Sequence, residues 1–180
     1  AHAELIEEGI DVVLPQIGVM VEVPAAVYLA GQLAERVDFL SVGSNDLTQY
    51  ILAVDRNNPS VAELYEAYHP AVLQALSQVA KAGLQAGKPV SICGELAGDP
   101  GAAILLMAMG YDSLSMSATN LPKVKSVLRG ISQSEAQELL SKVLDLCEIA
   151  DIHAAIDDLL EAKGITRLFG ERIKRRHLNS

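Results

Sequence analysis

Four short segments rich in β-branched and apolar residues, GVMVEV (18–23), DFLSVG (38–43), PVSICG (89–94) and SLSMS (113–117), alternate with amphipathic stretches at 25–37, 70–87 and 100–110. Short runs that are apolar on both faces read as strands of a parallel sheet buried under helices, and the stretches between them supply the crossovers that parallel pairing requires. Pro70 and Pro100 suit first helical turns, and Gly83, Gly87 and Gly110 stand at or near helix ends. A helix is expected at 121–130, then helical segments at 132–149 and 151–165, the former opened by a capping box of Ser132 and Glu135. The pattern predicts an α/β chain of parallel βα units, either an open doubly wound sheet or a (β/α)8 barrel.

Polar residues separate these two possibilities. Glu22 ends the first apolar run, Asn45 and Asp46 follow the second, Cys93 and Glu95 close the third, and Ser115 and Ser117 lie in the fourth. Barrels gather their chemistry at this end of the strands. No GxGxxG or GxxxxGK[ST] loop follows any strand, which removes the best support for a nucleotide-binding open sheet. Four strands are half of a barrel's usual eight, and the first residues, AHAELIEE, read as the latter part of a helix. The expectation is the C-terminal half of a (β/α)8 barrel with C-terminal helices, filling residues 1–180 of a longer natural polypeptide.

Composition sets the remaining bounds. A chain of 180 residues, 50% hydrophobic, can bury one sizeable core. Its net charge of −9 argues against nucleic acid as the main partner, since phosphate binding is driven by Lys and Arg. No apolar run approaches the roughly 20 residues that cross a bilayer, and the reading is a soluble cytoplasmic protein. The two cysteines, Cys93 and Cys147, are expected to be reduced, with Cys147 in the core. Cations gather in the last residues (Arg167, Arg172, Lys174, Arg175, Arg176), as suits a solvated C-terminal helix.

Two acids at neighbouring strand ends, Glu22 and Asp46, repel each other in a pocket unless a cation lies between them. Mg²⁺ takes about six oxygens and commonly only one or two carboxylates, leaving positions for water and substrate. The competing roles are a helix cap for Glu22 and a turn for Asp46. The segment from Leu47 to His69 is longer than most βα connections, and within it Asp55, Arg56, Asn57 and Asn58 form a polar turn. Arg56 can fork onto a phosphate or carboxylate, or pair with Asp55 or Glu63. Cys93 can be a nucleophile, an acid or an inert hydrophobe; Glu95 beside it opposes a second negative charge and favours the acid over the nucleophile. His2, His69, His153 and His177 show no ligand spacing and receive no chemistry.

The segments GVMVEVPAA, DFLSVGSNDLTQYILAVDRNN, VSICGELAGDP and LSMSATNLPKVK, in this order over roughly residues 10–130, resemble the C-terminal phosphoenolpyruvate-binding domain of enzyme I of the bacterial phosphotransferase system. Pyruvate phosphate dikinase and phosphoenolpyruvate synthase share the layout, but TQYILAVDRNN looks more like enzyme I and HPAVLQAL more like its nitrogen-branch form. The resemblance implies a barrel that binds phosphoenolpyruvate and Mg²⁺, with Glu22 and Asp46 as metal ligands, Asn45, Asp46 and Arg56 at the substrate, and Cys93 as proton donor to the enolate carbon of pyruvate. It further implies transfer of the phosphoryl group through a histidine on a separate domain to an HPr-like carrier, and a homodimer. That histidine and further substrate-binding arginines belong to segments this chain does not carry. An interaction module using the open edges of a half-barrel is the reading from another class.

Overall fold

The computed structural model describes residues 2–165. A helix α1 (His2–Glu7) precedes four strands, β1 (Gly18–Val21), β2 (Phe39–Gly43), β3 (Val90–Cys93) and β4 (Ser113–Ser115), which form one sheet in the order β1-β2-β3-β4. All neighbouring pairs are parallel. The crossovers are α2 (Pro24–Tyr28) with α3 (Ala30–Ala34), then α4 (Ser44–Leu52) with α5 (Pro70–Ala86), then α6 (Pro100–Met109); α7 (Leu121–Gly130), α8 (Gln133–Leu144) and α9 (Ile149–Ala162) follow β4.

The expected strands are therefore present in sequential parallel order, and among the described residues helices cover one face of the sheet. Val21, Leu40, Val42, Val90 and Ile92 enter a core shared with the helices, whereas Met20, Ser41, Ser91, Ser113 and Ser115 alternate onto the other face and stay half-buried or exposed. One-sided cover agrees with the expected half-barrel and not with an open doubly wound sheet. A doubly wound sheet carries helices on both faces, whereas strands of a barrel turn one face outward to helices and the other inward. The chain is a partial barrel of this kind.

Local chemistry explains most element boundaries. In α5, Pro70 occupies the first turn, the His69 ring accepts from the Ala71 amide at 3.2 Å, and Gly87 closes the helix at φ 64°. α6 starts at Pro100 with the Asp99 carboxylate accepting from the Gly101 and Ala102 amides, and ends at Gly110. It is buried on nearly every side because it packs against α5, α7 and α8. The helix expected at 25–37 divides at Leu29 (φ −98°, ψ 5°).

Two further expectations fail. Leu47 to His69 is not one long loop: α4 begins directly at Ser44, anchored by fully buried Leu47 and Thr48, and the irregular part starts only at Ala53. Cys147 is exposed, because α8 stops at Leu144 and the residue falls on the turn before α9, where helical periodicity no longer applies. The basic C-terminal segment lies outside the described residues.

The capping box at α8 is present, with Ser132 and Glu135 satisfying each other's backbone amides. Bonded to the Lys163 ammonium and to Ser132, the Glu135 carboxyl is held down at about 2. A depressed carboxyl stabilises the fold fully above its ordinary value of 4.5, and the contribution disappears as pH falls toward 2. Because the group is exposed, the effect is modest. Glu135→Gln is expected to melt below the parent chain near neutral pH, with the gap closing on acidification; a gap independent of pH would contradict this.

Candidate functional site

The strand ends fall into register. Val21 pairs with Val42, Gly43 with Cys93, and Cys93 with Ser115, so Glu22, one residue past β1, comes level with Gly43, Cys93 and Ser115. Gly43 has a steric reason to lack a side chain: a Cβ there would meet Glu22 Oε2 at 2.9 Å. The acid thus lies flat over the end of β2. It makes no cap to α2, whose N-cap residue Val23 receives no side-chain bond.

The polar cluster after β2 is the first turn of α4, which has no loop in front of it. Ser44 turns inward and donates to the Cys93 carbonyl at 2.7 Å. Asn45 accepts through Oδ1 from the Glu95 amide at 3.0 Å, and its carbonyl accepts from the Tyr65 hydroxyl at 3.3 Å. Asp46 stands on the outer side, paired with Arg56 (Oδ1 to Nη2, 3.3 Å). This is the partner of Arg56, in place of Asp55 or Glu63. Asp55 instead closes the polar turn, accepting from the Asn57 amide at 2.9 Å.

A cleft of about 380 Å³ opens at the ends of β3 and β4, lined by Asn45, Cys93, Gly94, Glu95, Ser115 and Asn120 among others. Two of the expected site residues, Asn45 and Cys93, share this cleft. Glu22, Asp46 and Arg56 lie outside its lining, toward β1 and β2. The Cys93 thiol reaches the Val42 carbonyl at 3.6 Å, a long contact typical of sulfur.

Sequence reasoning passed over Tyr65, Asn120 and the inward role of Ser44. Burial pushes the Tyr65 phenol above its ordinary value, with Glu95 adding to the rise, while the Thr48 hydroxyl and the Arg56 cation pull it down. Tyr65 therefore sits among the site's own groups, although it is far along the chain from Asn45. Only the return of the chain toward the rim before α5 brings it there.

Among the described residues no group of three or more His, Cys, Asp or Glu is arranged to hold a metal. Two carboxylates with hard oxygen donors suit an ion that completes its shell with water and substrate oxygens, which is the habit of Mg²⁺.

An α/β partial barrel with acid, amide and thiol groups at the carboxyl ends of its strands has the layout of the barrel class, whose chemistry gathers at that end. The family described as PEP-utilising enzyme, PEP-binding domain, matches residues 1–133. The chain belongs to that family. It is 44% identical over 151 residues to a Salmonella typhimurium protein named phosphoenolpyruvate-dependent phosphotransferase system, covering 84% of this chain and 20% of the relative. It is 45% identical over 146 residues to a Lactococcus lactis phosphoenolpyruvate-protein phosphotransferase (81% and 25%) and 46% identical over 145 residues to a Haemophilus influenzae protein of the same name (81% and 25%). The chain spans a fifth to a quarter of the length of these relatives.

Proposed function

We propose that the chain is the phosphoenolpyruvate-binding part of a phosphoenolpyruvate-protein phosphotransferase, residues 1–180 forming the C-terminal portion of its barrel domain. The observation that carries this reading is the row of strand ends, with Asn45 and Cys93 on one cleft and Glu22, Asp46 and Arg56 beside it. The phosphotransferase names of the relatives disfavour the dikinase and synthase readings. The nitrogen branch is the finer assignment, resting on HPAVLQAL.

The charge balance favours a cation. Glu22, Asp46 and Glu95 bring three carboxylates to the strand-end region, where Arg56 pairs with Asp46, and a phosphorylated carboxylic acid brings further negative charge. Glu22 and Asp46 would hold Mg²⁺, which when bound neutralises charge on the phosphoryl and enolate oxygens. Arg56 and the amide of Asn45 bind and orient the substrate. Once the bond between phosphorus and the enol oxygen breaks as the phosphoryl group leaves, Cys93 gives its S–H proton to the carbon of the enolate so formed, making the C–H bond of pyruvate and leaving a thiolate that water reprotonates. The phosphoryl group leaves to a histidine outside this chain and from there to an HPr-like carrier, in a cytoplasmic homodimer. Among the described residues no helix is long and apolar enough to cross a membrane.

Iodoacetamide alkylation tests the pocket, with exposed Cys147 as reference in the same chain. Phosphoenolpyruvate or oxalate should slow alkylation of Cys93, only when Mg²⁺ is present, and leave Cys147 unchanged. Equal rates with and without ligand would refute the reading. The chain alone is expected not to turn over phosphoenolpyruvate, and pyruvate formation by it would contradict that.

A further inference from the structure

We propose that Ser44 is a positioning residue that aims the Cys93 thiol, acting through the backbone of residues 93–95. The inference rests on the reading of Cys93 as proton donor. Ladder pairing between β2 and β3 stops at Gly43 and Cys93. Beyond that point the two chain ends exchange side-chain bonds instead. The Ser44 hydroxyl donates to the Cys93 carbonyl at 2.7 Å, while the Cys93 thiol reaches back to the Val42 carbonyl at 3.6 Å.

A second tie fixes the far side of the same segment, where the Glu95 amide donates to Asn45 Oδ1 at 3.0 Å. Between the two ties, Gly94 adopts φ 113° and presses its Cα face against the Ser44 hydroxyl and the Asn45 carboxamide. The thiol's carrier is thus held at its carbonyl by one residue and two positions later by the next. Ser44 is 1% exposed. An alanine would fill that space almost equally well, so packing alone does not call for a hydroxyl here. The bond to the Cys93 carbonyl does: it ties down the acceptor at the last rung of the ladder and sets the direction from which the thiol enters the cleft.

The test compares alkylation rates of Cys93 and Cys147 by peptide mass spectrometry, without phosphoenolpyruvate, in the parent chain, Ser44→Ala and Ser44→Thr. Losing one hydrogen bond should release local opening and raise the Cys93-to-Cys147 ratio by about two- to tenfold in Ser44→Ala. Ser44→Thr, which keeps the donor, should restore the parent ratio. A purely structural role predicts a lower urea midpoint for Ser44→Ala with the ratio unmoved, and that result overturns the proposal.

Should Ser44→Ala not fold, NMR of the parent chain decides between the two roles. The Ser44 hydroxyl proton is expected to exchange slowly enough to be seen, with a cross-peak to the Gly94 α-protons. Exchange as fast as that of an exposed serine overturns the proposal. No substrate enters either experiment, so their failure leaves the function reading standing, and absence of ligand protection at Cys93 leaves the Ser44 result standing.

Discussion

Replacing Gly94 with alanine is expected to destabilise the chain by about 2–5 kcal/mol and to abolish ligand protection of Cys93, through left-handed strain and overpacking acting together. The backbone at this residue has φ 113°, which L side chains rarely adopt. An added methyl would also drive into the Ser44 hydroxyl and come within 2.9 Å of Asn45 Oδ1. Those two groups hold the Cys93 carbonyl and the Glu95 amide, so the displacement falls on the ties that shape the cleft. Gly87→Ala is the control: its φ of 64° carries strain, but nothing lies within 4 Å of an added Cβ. Urea denaturation should show the larger loss for Gly94→Ala, and only that variant should lose protection. Equal losses, or an intact site in Gly94→Ala, would count against the geometry described.

The second large effect lies in the core. Ile104→Ala is expected to cost about 2–5 kcal/mol, the range for deleting a fully buried aliphatic side chain and leaving a cavity. Ile104 is 0% exposed at the middle of α6, the helix that packs against α5, α7 and α8. A cavity there cannot collapse toward solvent. Leu84→Ala, on a residue 76% exposed at the end of α5, should change stability by less than about 0.5 kcal/mol. Similar urea midpoints for the two variants would contradict the assignment of α6 to the centre of the core.

These placements show how far the sequence alone could lead. The strands and their order were legible because the apolar runs are short and the joints are punctuated by Pro70, Pro100, Gly87 and Gly110. The one-sided helical cover was legible too, through the half-barrel reading, since barrel strands turn one face inward. The start of α4 was hidden because Gly43, Ser44 and Asn45 favour turns in isolation. Burial of Leu47 and Thr48 outweighs that preference. Cys147 was misjudged by carrying a helical period past the end of α8.

At the site, Asn45 and Cys93 could be named from their positions at strand ends, and both line the cleft. Asp46 and Arg56 could be named singly, but their pairing follows from how the chain turns after Ala53, which local spacing does not encode. Tyr65 and Asn120 gave no signal, being ordinary residues brought to the rim by tertiary structure alone.

In the proposed function Glu22 and Asp46 share one divalent ion at the strand-end rim near Cys93. Paramagnetic broadening by Mn²⁺, a hard oxygen-seeking substitute for Mg²⁺, measures this directly in the presence of oxalate. The amide signals of Glu22, Gly43, Asp46 and Gly94 should broaden first, and Glu22→Gln or Asp46→Asn should abolish the effect. Broadening centred elsewhere, or unchanged in both variants, would contradict the account.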